Sequence, residues 1–118
     1  MEPIYRSDGE WVAVYHKGHV FNVDGEWVGF VVGREVYDNG GLYIGFLSDD
    51  RRLLRTRTRP TNKPRRTPPP RPPRPEIPAS MPLAPMLRAL PYSIIDMFEE
   101  YPDKLMFVSE TRPDMDED

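Results

Sequence analysis

The chain has 118 residues, enough for one small domain with appended segments, and its formal net charge is −3. Only 38% of the residues are hydrophobic and 15 are proline, so we expect part of the chain to build no core. The absence of cysteine excludes disulfides, thiolate zinc sites and cysteine nucleophiles. No apolar run is long enough to span a membrane and the acidic start lacks a signal-peptide core, which predicts a cytoplasmic protein without membrane contact.

The charges are distributed in blocks along the chain. Residues 51–75 carry ten basic side chains and no acidic ones, whereas residues 76–118 carry ten acidic and three basic side chains. Residues 1–50 carry nine acidic and three basic side chains. Blocks of this kind are typical of solvated or interacting segments.

Residues 4–51 contain three copies of a 16-residue unit. An apolar pair recurs at Ile4-Tyr5, Val20-Phe21 and Val36-Tyr37. A glycine pair or Asp-Gly pair follows at 8–9, 24–25 and 40–41, and then the strand-like runs WVAV, WVGF and YIGF. So many matches at one spacing indicate a repeat, which sets the architecture.

Each unit predicts a β-hairpin, because Asp-Gly and Gly-Gly tolerate the positive φ angles of a two-residue type I′ turn. We therefore expect strands near 4–7, 10–16, 19–23, 26–32, 35–39, 42–48 and 51–56. Second two-residue loops are expected at 17–18, 33–34 and 49–50, which would pair Val14 with Phe21, Phe30 with Tyr37 and Phe46 with Leu53.

This register predicts two apolar faces of the sheet. One would hold Tyr5, Val12, Val14, Phe21, Val23, Val28, Phe30, Tyr37, Leu42, Ile44, Phe46 and Leu53. The other would hold Ile4, Trp11, Ala13, Tyr15, Val20, Trp27, Gly29, Val31, Val36, Tyr43, Gly45 and Leu47, with Arg6, Asn22 and Asp38. Gly29 and Gly45, in mid-strand, predict bends or close approaches of the backbone.

The repeated pattern aromatic-x-x-DG-x-W-V-G-F resembles that of the 4-fold beta flower proteins, a bacterial family without an established activity. The resemblance covers roughly residues 4–55. It implies hairpins arranged as petals around a pseudo-fourfold axis and brings no catalytic, metal-binding or cofactor-binding residues.

The fourth unit departs from the pattern, because prolines and arginines replace its turn and returning strand after Arg55. Residues 104–109 are the predicted substitute strand. We divide the chain into a hairpin domain (1–58), a Pro/Arg-rich extended linker or strap (59–85), a short helix plus possible strand (86–110) and an acidic tail (111–118). Helical turns are expected at Met86–Leu90 and over 93–101, with Ser93 as the N-cap. The fold class is therefore mostly β.

Two sets of polar side chains are candidate chemical sites. His16 and His19 flank a turn as an opposed pair that could share a metal, although no third ligand is evident and surface histidines are the simpler interpretation. The turn acids Asp8, Glu10, Asp24 and Glu26 could act as an acid–base pair, but their place in the repeat explains them. No catalytic, cofactor or metal site is therefore predicted.

Two surfaces are candidates for binding. Trp11, Trp27 and Tyr43 occupy one repeat position and could stack bases or sugars, or pack beneath the C-terminal segment. The basic proline-rich run offers the possible partner-binding residues Arg66, Pro69, Arg71, Pro72 and Arg74. This run could bind nucleic acid, could serve as a PxxP ligand in polyproline II form, or could lie as a strap across the acidic hairpin domain.

The sequence favours a non-enzymatic binding or scaffolding module. Its partner would be a protein or a second copy of the chain, in which case exchange of the strap would give a homodimer. The alternative is a nucleic-acid-associated protein, which the overall acidic balance makes less favoured; a PxxP ligand is the weaker alternative. No cofactor is expected.

Overall fold

The computed structural model describes residues 1–58 and 63–101. Their elements are the strands β1 (Glu2–Tyr5), β2 (Trp11–His16), β3 (His19–Asn22), β4 (Trp27–Val32), β5 (Glu35–Asp38), β6 (Tyr43–Leu47), β7 (Leu53–Thr56) and β8 (Ile94–Asp96), followed by the helix α1 (Met97–Glu100). The strands form a single antiparallel sheet in the order β1 to β8, so each strand pairs with its neighbours along the chain. The mostly β fold of consecutive hairpins is confirmed.

The loops that contain Asp8-Gly9, Asp24-Gly25 and Gly40-Gly41 have three residues, not the predicted two. In the first unit the Arg6 N–H donates to the Glu10 carbonyl and the Gly9 N–H donates to the Arg6 carbonyl, each at 2.8 Å. The same two bonds recur from Asn22 and from Asp38. A turn followed by a glycine at positive φ, here +94° at Gly9, is the three-residue hairpin connection.

In the second and third of these loops, the side chain of the residue before the loop binds the backbone ahead of it. Asn22 Oδ1 accepts hydrogen bonds from the backbone N–H groups of Asp24 and Glu26, and Asp38 Oδ1 accepts from those of Gly40 and Leu42. Asn and Asp side chains stabilise turns by binding backbone groups two residues ahead. This bonding stabilises the wider loop in the second and third units, whereas in the first unit Asp8 Oδ1 accepts from the Glu10 N–H at 3.0 Å.

Each extra loop residue is compensated by a β-bulge in the following strand. Ile4 still faces Ala13 as predicted, but Tyr5 faces Trp11, so Val12 has no partner of its own in the ladder. The equivalent shift occurs between β3 and β4 and between β5 and β6. Val14 pairs with Phe21 and Phe30 with Tyr37, as expected.

The bulges exchange residues between the two predicted faces, whose composition was therefore wrong. The inner core holds the buried residues Ile4, Val12, Ala13, Val20, Val28, Val36, Ile44, Leu53, Ile95, Met97 and Phe98. The opposite cluster, which we call the aromatic face, holds Val14, Phe21, Trp27, Phe30 and Tyr37, with Trp11 and Tyr43 packed against it. Val12, Val28 and Ile44 nevertheless occupy equivalent buried positions, as the repeat predicts.

The loop after β6 was also predicted one residue too short. The Ser48 N–H donates to the Arg52 carbonyl, so the loop spans residues 49–51, with Arg51 at φ +70°. As a result Leu53 pairs with Leu47, and Leu54 takes the place opposite Phe46. This loop has the hydrogen-bond pattern of the loops at 7–9, 23–25 and 39–41, although it lacks their glycine.

β8 completes the fourth pair of strands. The predicted helix over 93–101 is wrong for residues 94–96, because Ile95 pairs with Arg55 on β7. The helix is a single turn whose N-cap is Asp96, not Ser93. Met86–Leu90 form no helix, since Pro82, Pro85 and Pro91 bracket them. The predicted strand at 104–109 lies outside the described residues.

A polar network joins the first and last parts of the sheet. The Tyr5 N–H donates to the Arg51 carbonyl at 2.8 Å. The Ser7 N–H and hydroxyl both donate to Asp96 Oδ2, at 2.8 and 2.5 Å. Arg52, only 4% exposed, donates to Ser7 Oγ at 3.0 Å and binds Asp50 through two bonds.

The network also sets the charge state of Asp50. Burial opposes its ionisation, but the hydrogen bonds from Arg52 and Ser48 outweigh burial and hold the pKa of this carboxyl below its usual value. A charged pair with this many bonds is satisfied where it is buried.

Within the described ranges no helix has the length and apolar character needed to cross a membrane.

The mid-strand glycines provide the first test. A Cβ atom at Gly29 would lie 2.0 Å from the Tyr37 carbonyl oxygen, and one at Gly45 would lie 2.4 Å from that of Leu54. Both close approaches were predicted. We expect Gly29→Ala and Gly45→Val each to lower the free energy of unfolding by about 1–3 kcal/mol or more through crowding. Gly40→Ala is the control, because its nearest contact is 3.5 Å away, and equal urea midpoints for all three variants would contradict the packing.

The polar network around Ser7 and Asp96 provides the second test. The two oxygens of Asp96 accept four hydrogen bonds, from Ser7 and from the N–H groups of Phe98 and Glu99. An asparagine amide nitrogen cannot accept, so Asp96→Asn leaves buried donors unpaired and should cost about 1–3 kcal/mol. Asp49→Asn, at an exposed ion pair, should change stability little. Thermal unfolding that ranks the two variants equally would refute the role of the network.

Candidate functional site

The strap, of which the structure describes residues 63–85, first docks on the loop between β5 and β6. The Arg66 N–H donates to the Gly41 carbonyl at 2.9 Å, and Arg65 Nη1 donates to the Gly40 carbonyl at 2.8 Å. A Cβ atom at Gly41 would lie 1.9 Å from the Arg66 carbonyl oxygen. Glycine is therefore required here both for the positive φ of the loop and for the approach of the strap.

The strap then docks on the equivalent loop one repeat earlier. Arg74 donates to the carbonyl of Asp24 and forms an ion pair with Glu26 at 3.2 Å. Asp24 and Gly40 occupy the same position in successive repeats, so two arginines of the strap bind equivalent carbonyls. The repeat of the hairpins is thus matched by the arginines that bind them.

A third contact lies on the first unit. The Tyr5 hydroxyl donates to the Pro82 carbonyl at 2.6 Å. The three contacts follow one another at intervals of eight residues, at Arg66, Arg74 and Pro82. The strap therefore passes the three units in reverse chain order. The strap therefore runs around the hairpin domain and not away from it.

The strap covers part of the aromatic face. Ile77 and Met81 pack against the buried aromatic cluster. Trp27 is 7% exposed and its Nε1–H donates to His19 Nδ1 at 3.2 Å, while Trp11 and Tyr43 are half-buried. Burial raises the pKa of Tyr43. The candidate aromatic row of Trp11, Trp27 and Tyr43 therefore lies against this packed cluster, beside the strap.

The cations proposed for partner binding are largely engaged within the chain. Arg66 lies over the Tyr37 ring, 5.3 Å from its centroid, and Arg74 binds Glu26. Lys63, which precedes these residues in the strap, forms an ion pair with Glu35. The hydrogen bond from Lys63 is the largest cause of the lowered pKa of the Glu35 carboxyl.

The other candidates differ in their surroundings. Pro69 and Pro72 are half-buried and line a groove, described next, whereas Arg71 is exposed. In the described part of the chain Arg71 has no ion pair or hydrogen bond.

A groove of about 520 Å³ lies between the strap and the hairpin that joins β2 to β3. It is lined by His16, Lys17, His19, Phe21, Pro69, Pro70, Pro72, Pro73, Arg74 and Pro75. His16 and His19 face each other across the hairpin, as predicted. Burial, and then the neighbouring His16, lower the pKa of His19, which fits its role as acceptor from Trp27.

In the part of the chain that the structure describes, neither the histidine pair nor the turn acids have neighbours suited to metal binding or acid–base chemistry. Among the described residues no three His, Asp or Glu side chains are placed to hold a metal ion. Asp8 and Glu10 both bind Arg6, and the hydrogen bond from Arg6 lowers the pKa of Asp8. Glu26 is the ion-pair partner of Arg74.

Sequence reasoning missed a surface at the end of the strap, residues 82–92, which we call the apolar loop and which shares residues 82–85 with the strap. Leu83, Met86 and Tyr92 are 96%, 94% and 81% exposed. The bond from Tyr5 holds Pro82 at one end, while Arg57 holds the other end by donating to the carbonyls of Tyr92 and Ser93, each at 2.6 Å. The three prolines in this segment were the available signal, because they oppose the helix that would have hidden these side chains.

Comparison with known proteins gives the family and nothing more specific. A search of curated proteins and a search of solved structures each found no match. The sequence profile of the 4-fold beta flower protein family matches residues 2–99, which include the strap, the apolar loop and β8 as well as the repeats. With most of its length matched, the chain belongs to the 4-fold beta flower protein family.

Proposed function

We propose that the chain is a non-enzymatic protein-binding module whose contact surface is the apolar loop. The observation that supports this proposal is the exposure of Leu83 and Met86, 96% and 94%, in a segment held at both ends by hydrogen bonds. Single exposed apolar residues are ordinary on protein surfaces, whereas a group of them marks an interaction site.

The anchoring of the loop favours recognition for an energetic reason. Ordering a free segment on binding costs conformational entropy, which reduces affinity. Hydrogen bonds from Tyr5 and Arg57 already restrict residues 82 and 92, so less of that cost remains. The expected partner offers apolar pockets for Leu83 and Met86, with acidic groups near Arg88.

The contacts of the strap weigh against the two alternative functions. Most of its described cations bind carbonyls, carboxylates or aromatic rings of the hairpin domain, which leaves few for phosphates. Pro69 and Pro72, the two prolines of the PxxP motif at residues 69–72, are half-buried beside the His16–His19 hairpin. A partner domain would have to displace the strap in order to bind these prolines.

Acidic substitutions in the apolar loop test the proposal. Leu83→Asp with Met86→Asp should abolish binding to the partner, because charged groups would enter apolar pockets, yet leave the Tm unchanged, because both side chains are exposed. Ala79→Asp with Ser80→Asp, on exposed strap positions, is the matched control. Quantitative cross-linking in a lysate of the source organism, with sedimentation to detect self-association, measures the outcome. If wild type and the loop variant capture the same proteins in the same amounts, the apolar loop is not the contact surface.

Salt dependence distinguishes the nucleic-acid alternative. Among the cations of the described strap and apolar loop, only Arg71 and Arg88 lack a hydrogen bond, an ion pair or a ring contact, so this segment could neutralise about two phosphates without rearrangement. The logarithm of affinity for duplex DNA should then fall with the logarithm of salt concentration with a slope no steeper than about −2. A slope several times steeper would show that the strap leaves the hairpin domain to bind nucleic acid.

A further inference from the structure

The groove between the strap and the His16–His19 hairpin has the features of a small-molecule site. Its volume of about 520 Å³ falls within the range of ligand pockets. Five proline rings and Phe21 supply apolar walls, and no acidic side chain is among the lining residues. The groove therefore combines an apolar interior with lining groups that carry only neutral or positive charge.

The polar groups in this groove differ in how far they are already committed. Arg74 is bound to Glu26 and Asp24, which reduces its availability. His19 accepts from Trp27 through Nδ1, which leaves its Nε2–H to donate. Within the described residues, the side chains of His16 and Lys17 make no hydrogen bond or ion pair. Lys17 and the two imidazoles are thus the donors available to a ligand.

We propose that this groove binds a small aromatic anion of the aryl carboxylate class. The ring would pack against the proline rings, and the carboxylate would accept from Lys17 and the neighbouring histidines. This site is independent of the proposed protein-binding function, because the apolar loop contributes no lining residue.

The test uses the full chain and benzoate as the probe, followed by amide chemical shifts in NMR and by calorimetry. Benzoate should shift the amide signals of residues 16–21 and of Arg71 and Arg74 in a saturable manner. Inorganic phosphate, which has charge without a ring, and benzyl alcohol, which has a ring without charge, should each bind at least about tenfold more weakly. Equal binding by phosphate, or shifts scattered over all surface cations, would overturn the proposal.

Variants then locate the site. Lys17→Asn removes the charge, and asparagine tolerates the left-handed conformation of this residue, φ +52°. It should weaken benzoate binding about fivefold, as expected for the loss of one exposed charge contact. Pro72→Asp, which places an acid in the groove wall, should abolish binding. Arg34→Asn removes the cation of the equivalent turn one repeat later and should have no effect. Unchanged affinity in both Lys17→Asn and Pro72→Asp would refute the assignment.

Discussion

The structure depends on one constraint, which is the three-residue loop and the β-bulge that compensates for it in each repeat. The loop adds a residue and the bulge absorbs it, so the strands keep their register while the residues beside the loop change faces. Val12, Val28 and Ile44 thereby enter the inner core. Trp11, Trp27 and Tyr43 turn to the aromatic face. Without this exchange Val12, Val28 and Ile44 would take the places of these three aromatic residues on the face that the strap covers.

The loops also determine how the strap binds. A wide loop with its last residue at positive φ leaves carbonyls of Asp24, Gly40 and Gly41 free of the ladder, and the strap supplies the donors for them. Because these carbonyls repeat with the hairpins, a chain with arginines at matching intervals can bind several units in succession. Charge blocks that were visible in the sequence therefore stabilise the fold itself, through groups that would repel one another if the strap were free.

Spacing alone predicted the strands, the pairs Val14–Phe21 and Phe30–Tyr37, and the close approaches at Gly29 and Gly45, because a period of 16 imposes equivalent environments. The bulges could not be predicted in this way, since Asp-Gly fits both a two-residue and a three-residue loop. In the second and third units Asn22 and Asp38 stabilise the three-residue loop, because their side chains bind the backbone ahead of them. Residues 94–96 were equally ambiguous, because two isoleucines before an acidic stretch suit a helix face or a strand, and only pairing with β7 decides.

The position of β8 connects the fold to both proposed surfaces. Because Ile94–Asp96 pairs with β7 and Asp96 binds Ser7, the chain that leaves the hairpin domain after Thr56 must return to it. The described residues between them, 57–58 and 63–93, are therefore held at both ends and along the strap by bonds to successive units. This arrangement places Pro69–Pro75 beside the His16–His19 hairpin, which creates the groove, and keeps Leu83 and Met86 exposed in the apolar loop, because Pro82 and Tyr92 are already held. Extension of the sheet by a distant strand is thus the condition under which a proline-rich segment can present defined surfaces.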